Sequence, residues 1–170
     1  IFLGRTIAWK GLDLFSDIVS APELRDFDIL LMVPSRVGLD FEGLDRKFGE
    51  RLQLIVGKTV EAYSPRYGDV HLYPTSYGSN TKYLESISLN CLEMASLGVS
   101  SLVTENGLET WPDEILKPFF LPVNWGNSKQ CVESIIKASQ KSVTRNQITN
   151  VRNLLSIRNQ IEFVIRVSQP

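Results

Sequence analysis

The chain has 170 residues, 43% of them hydrophobic and 22% charged, and a formal net charge of −1. That is the size of one domain, and it is too apolar for a disordered chain. The balance of 18 basic against 19 acidic residues provides no field to hold nucleic acid or an anionic membrane.

The chain opens at Ile1-Phe2-Leu3-Gly4, without a methionine and already inside a strand pattern, which reads as a piece of a longer protein. Leu12–Val19 carries apolar residues at helical spacing, and Pro22 closes it or sits in the turn that follows. Ile29–Val33 is a continuous apolar run stopped by Pro34, the pattern of a strand buried on both faces of a parallel sheet. The polar stretch Arg36–Arg51 holds a helix around Leu44–Phe48, and Leu52–Val56 is the next strand, ended by Gly57. A short helix is expected within Val60–Tyr67, a strand over Val70–Tyr73 up to Pro74, a helix over Leu89–Leu97 up to Gly98, and a strand over Ser101–Val103. Phe119–Val123 reads as the last strand, followed by a helix capped by Asn127 or Ser128 and carrying Val132, Ile135 and Ile136. Beyond Thr144, Ile148, Val151, Leu155, Ile161, Val164 and Ile165 recur at helical spacing, with a strand also compatible with Phe163–Val167. Strands alternating with helices in this order imply an α/β fold, a Rossmann-like doubly wound parallel sheet flanked by helices.

Ligands of such sheets bind at the carboxyl ends of the strands, so the loops there carry the chemistry. Gly4 leaves room for a ligand beside the backbone, and Arg5 and Lys10 bring two positive charges to one strand end, as a diphosphate requires. After the Val70–Tyr73 strand, Ser86 or Ser88 can cap the helix that begins near Leu89, whose free N–H groups and positive dipole end suit a phosphate. Glu85 precedes that helix. Glu93 lies one turn beyond Leu89, where its two oxygens can accept two neighbouring hydroxyls. The eight-residue spacing of the two acids is no signal in itself, because Glu42 and Glu50 share it. Only the strand–loop–helix setting distinguishes the later pair.

Other groups are weaker. Cys91 and Cys131, with the single His71, cannot build a disulfide scaffold or a four-ligand zinc site and read as free thiols, Cys91 as a packing residue. Asp26-Phe27-Asp28 has a metal-binding look, yet it precedes its strand and so falls at the wrong sheet edge. His71 opens a strand and reads as a strand-end or surface histidine. Trp9, Trp111 and Trp125 read as core or rim packing. No apolar run approaches the ~20 residues of a membrane span, and no signal peptide is evident.

Gly4-Arg5 followed by Lys10-Gly11-Leu12-Asp13-Leu14, and later Tyr73-Pro74-Thr75-Ser76 with Glu85, Glu93-Met94-Ala95 and Gly98, resemble the nucleotide-sugar-binding, C-terminal domain of retaining GT-B-fold glycosyltransferases of family four (glycosyl transferases group 1). The resemblance covers about residues 1–125. It implies one half of a GT-B fold, with residues 1–142 binding a nucleoside-diphosphate-sugar donor and a helical tail, 143–170, packing on an N-terminal domain that binds the acceptor and is absent here. On that tail, Ile148–Val167 would then present an apolar stripe to the missing partner.

By the same resemblance Arg5 and Lys10 hold the diphosphate and stabilise it as it leaves, Glu85 contacts the sugar and Glu93 the ribose. The backbone around Ile87, Ser88 and Leu89 faces the phosphate, and Gly57, Lys58, Thr59 and Val60 surround the base. It implies no metal or other cofactor, a cytoplasmic site with peripheral membrane association of the full protein, and a hexosyltransferase role in polysaccharide assembly. The chain departs from the family in having Ser86-Ile87-Ser88-Leu89 where Gly-Phe-Gly-Leu is usual, and in the insertion Tyr77–Leu84. A GT-B epimerase or phosphorylase, or a non-catalytic nucleotide-sugar-binding domain, is compatible with the same residues.

Overall fold

A computed structural model describes residues 1–4, 11–57, 63–74, 89–104 and 114–156. Six strands and five helices lie in these segments: β1 (Phe2–Leu3), α1 (Leu12–Ile18), β2 (Ile29–Val33), α2 (Phe41–Phe48), β3 (Leu52–Val56), β4 (Val70–Leu72), α3 (Leu89–Ser96), β5 (Ser100–Thr104), β6 (Phe120–Val123), α4 (Ser128–Ser139) and α5 (Arg145–Leu155). The fold is the α/β, Rossmann-like doubly wound architecture expected. Two three-stranded parallel sheets run in the orders β1-β2-β3 and β4-β5-β6. They abut through β1 and β4, where the Ile1 amino group donates to Val70 O (2.7 Å) and Leu72 N donates to Ile1 O (2.9 Å). The strands therefore follow the spatial order 3-2-1-4-5-6, all parallel, in which the order of connection reverses between β1 and β4.

Alternation along each strand assigns the two faces. Phe2, Leu31, Val70, Leu72, Leu102 and Val123 meet Phe15 and Ile18 of α1 and Val132, Ile135 and Ala138 of α4. On the other face Tyr73, Val103 and Phe120 meet Cys91, Leu92 and Ala95 of α3 and Val151 of α5, while Leu30 and Met32 meet Tyr63, Met94 and Val99. All five residues of β2 are buried, as a strand covered on both faces must be.

Local chemistry sets the helix boundaries. Asp40 caps α2 by accepting from Gly43 N (3.0 Å), so the helix starts at Phe41, earlier than its apolar residues alone indicate. Asn127, not Ser128, caps α4, accepting from Gln130 N (3.1 Å). At α5 Thr144 and Gln147 form a reciprocal box: Gln147 N donates to Thr144 Oγ1 (3.3 Å) and Thr144 N to Gln147 Oε1 (2.8 Å). Thr144→Ala leaves Gln147 N to water and is expected to cost about 1 kcal/mol. That corresponds to a fall in melting temperature of roughly 3 °C, readable by circular dichroism.

Three expectations change. Residues 63–66, at the end of the helix expected within Val60–Tyr67, are irregular. Pro65 has no N–H for a helix, and the Asp69 carboxylate accepts from Arg66 N (2.5 Å) and from the Tyr63 hydroxyl, closing a turn instead. The apolar stripe expected on the tail is, from Ile148 to Leu155, taken up by this chain's own core: Val151 is fully buried, with Ile148, Leu154 and Leu155 packed beside it. His71 is neither at a strand end nor at the surface. It sits in the middle of β4 with no exposed area. The two cysteines are buried and form no disulfide, and burial pushes the Cys131 thiol up to about 11. Trp125 belongs to the core. Trp9, Trp111, the insertion 77–84 and residues 157–170 lie outside the described residues.

Candidate functional site

The switch between β1 and β4 sets the ends of these two strands side by side at the carboxyl edge of the sheet, the place where such folds bind ligands. Backbone features fix what surrounds them. Gly4 continues β1 by donating to Met32 O (3.1 Å), and the space over its Cα is open, a Cβ there meeting nothing nearer than the Phe2 ring at 3.9 Å. Gly11 ends the loop that leaves Gly4, with φ +70°, and starts α1 by accepting from Phe15 N (2.8 Å). Its Cα faces Pro74 so closely that a Cβ would lie 2.5 Å from the Pro74 carbonyl oxygen. The loop after β1 and the loop after β4 are therefore in contact at their described ends.

α3 begins beside the end of β1. Asn90, in its first turn, donates from Nδ2 to Leu3 O at the end of β1 (3.2 Å). Leu89 is 74% exposed beside it, and Glu93 lies one turn further on the exposed side of the helix. On the far side of β2, Gly57 closes β3 with φ +67°, donates to Val33 O (3.0 Å) and has open space above its Cα. Among the residues expected to form a donor site, Gly4 follows β1, Leu89 adjoins the Asn90 that bonds to Leu3 O, Glu93 lies one turn further along α3, and Gly57 follows β3, two strands away on the same edge. Arg5, Lys10, Lys58, Thr59, Val60, Glu85, Ile87 and Ser88 lie outside the described residues.

Sequence reasoning missed Asn90. An asparagine in a helix's first turn reads as a local cap, and its true acceptor is 87 residues away in the chain. It also missed how Pro74 meets Gly11, a contact that depends on which strands are neighbours.

The opposite edge holds a cavity of about 410 Å³, bordered by Asp26, Asp28, Arg66 and Asp69 over apolar Phe15 and Leu24. Its charges are matched internally: Arg66 lies 3.5 Å from Asp28 and 3.9 Å from Asp69. It sits at the amino ends of the strands, so its size does not outweigh its position. Asp26 and Asp28 do not assemble a metal centre with other ligands, and no group of three or more potential metal ligands occurs among the described residues. Among those residues no helix is long and apolar enough to cross a membrane.

No protein-family model matches the chain, and no curated protein matches its sequence. Solved structures do. Fifteen chains match, among them AviGT4, a glycosyltransferase involved in avilamycin A biosynthesis, with a TM-score of 0.60 and 14% identity. The match covers 88% of this chain and 44% of AviGT4, so this chain spans less than half the length of its structural neighbour. The chain is thus similar in fold to part of a glycosyltransferase.

Proposed function

We propose that this chain is the nucleotide-sugar donor-binding, C-terminal domain of a retaining glycosyltransferase of family four, transferring a sugar from a nucleoside diphosphate to an acceptor. The observation that carries the reading is the switch point between β1 and β4, where we place the donor crevice: the segments that contain Arg5 and Lys10, and those that contain Glu85 and Glu93, follow adjacent strand ends whose flanks touch at Gly11 and Pro74. In this reading Arg5 and Lys10 bind the diphosphate and offset the charge that develops as it leaves, while the sugar becomes oxocarbenium-like. Backbone amides at the start of α3, around Ile87, Ser88 and Leu89, extend that stabilisation through the helix dipole.

Glu85 orients the sugar, Glu93 accepts the two ribose hydroxyls, and Gly57, Lys58, Thr59 and Val60 pack about the base. Two fixed cations and a helix end supply the positive charge that a metal would otherwise bring, so the reaction needs no cofactor. Residues 1–142 constitute the donor domain and 143–170 the tail, and the acceptor belongs to an N-terminal domain. The chain alone binds donor without transferring it. The complete enzyme works in the cytoplasm, peripheral to the membrane, on a hexosyl donor for polysaccharide assembly.

Calorimetric titration of the chain with uridine diphosphate and with guanosine diphosphate tests the reading. Binding of one or the other is expected, weakened about tenfold or more in Glu93→Ala and in Arg5→Ala, each of which removes hydrogen bonds to a charged group. A chain that binds neither nucleotide refutes the proposal and leaves a scaffold role.

A further inference from the structure

The ladder between β1 and β4 can be followed rung by rung. In a parallel pair each strand's bonds advance by two residues. The Ile1 amino group donates to Val70 O, and Leu72 N donates to Ile1 O. The next donor for β1, two residues on, should serve Leu3 O from position 74. Position 74 is proline, which has no N–H. The two strands therefore lose their bond at the carboxyl end, where the crevice opens. Leu3 O is met there by the side-chain amide of Asn90 (3.2 Å), so a group from α3 fills the rung that Pro74 leaves vacant.

We infer that Asn90 is a positioning residue for donor binding: by standing in for the missing rung it locks the first turn of α3 to the end of β1 and sets Glu93 against the crevice. The inference rests on the donor-binding function proposed above. Its physical content is separable. Pro74 removes the backbone bond at this end of the two strands. Cys91, Leu92, Met94 and Ala95 seat α3 on the sheet, and the Asn90 bond adds a directional tie between its first turn and the end of β1; Glu93, three residues later, shares its side of the helix. A ribose bridging the crevice meets a carboxylate whose placement depends on one amide.

The test titrates the wild-type chain, Asn90→Ala and Asn90→Asp with uridine and guanosine diphosphate, at a temperature where circular dichroism shows each chain folded. Asn90→Asp is nearly isosteric and cannot donate to Leu3 O. Both variants are expected to weaken whichever nucleotide the wild type binds by about three- to tenfold, the loss of one hydrogen bond's worth of order. In a Glu93→Ala background the same Asn90→Ala change is expected to cost less than about twofold, because the residue acts through Glu93. Hydrogen exchange of the α3 first-turn amides is expected to speed up in Asn90→Ala, with the sheet core unchanged.

Undiminished affinity in Asn90→Ala and Asn90→Asp, in a chain whose wild type binds, overturns the inference and leaves the donor-binding function standing. A lowered melting temperature with unchanged affinity does the same, by reducing Asn90 to a structural tie. A full loss in the Glu93→Ala background overturns the route through Glu93. A wild type that binds neither nucleotide refutes the donor-binding function, and the positioning role falls with it.

Discussion

Gly11→Ala is expected to destabilise the chain by about 2–5 kcal/mol and to abolish nucleotide binding at concentrations where the wild type saturates. Two costs combine. Gly11 holds φ +70°, the left-handed region, where a residue with a Cβ is strained by about 1–2 kcal/mol. The Cβ would also lie 2.5 Å from the Pro74 carbonyl oxygen, 3.0 Å from its Cγ and 3.1 Å from its Cβ, and the nearest of these is backbone with no rotamer to move. Relieving that overlap means pushing the β4–α3 loop away from the β1–α1 loop, a rearrangement in the 1–3 kcal/mol range of overpacked sites. Because the proposed donor site lies between these two strand ends, their separation is expected to damage it directly.

Gly98→Ala provides the contrast. It too has positive φ, +86°, but its added Cβ would meet the Ile148 Cδ1 at 2.8 Å, the far end of a side chain that can rotate aside. Urea denaturation followed by nucleotide titration of both variants reads the difference. A Gly11→Ala chain that binds as tightly as wild type would show that the Gly11–Pro74 contact does not shape the site.

The fold was legible where local signals agree. Ile29–Val33 and Leu52–Val56 were delimited correctly by a continuous apolar run against Pro34 and Gly57, and Asn127 was available as a cap from its place before an apolar-periodic segment. Spatial order was not legible, because neighbours such as β1 and β4 are joined by bonds between residues about seventy apart. The same limit explains the errors. Val70-His71-Leu72-Tyr73 alternates like a strand with one wet face, but α3 covers that second face, so His71 is sealed in. From Ile148 to Leu155 the amphipathic run after Thr144 announces an apolar stripe without naming its partner, which over those residues is α3 of this chain. At the candidate site, Gly4, Glu93 and Gly57 could be chosen from their places after strands or inside a following helix. Asn90 could not, since its role exists only once Pro74 is set beside Leu3.

The buried histidine carries the second large effect. His71 Nδ1 lies 2.9 Å from Ser101 Oγ on the adjoining strand, and Nε2 has no hydrogen-bond partner. A charged ring would present two N–H donors to this environment, one of them with nothing to receive it. Burial accordingly lowers the His71 pKa to about 3.

The unfolded chain binds a proton at His71 below about pH 6.5, while the folded chain does not until about pH 3. The unfolded state thus holds more protons throughout that window, so stability is complete above pH 6.5 and declines as pH falls through it. The slope approaches about 1.4 kcal/mol per pH unit, giving a loss of about 2 kcal/mol between pH 6.5 and 4.5 from this one group.

Carboxylates titrate in the same range, so the measurement is a difference. Urea midpoints of wild type and His71→Gln, taken from pH 7.5 to 4.5, should diverge, with the glutamine chain losing less stability at acid pH while keeping a partner for Ser101. Parallel curves would mean that the fold does not hold the ring neutral. His71 shares its sheet face with Tyr73, which packs against Cys91, Leu92 and Ala95 of α3. Protonation there strains the bed on which the Glu93 helix rests, and nucleotide affinity is expected to fall with stability in the wild type and to hold in His71→Gln.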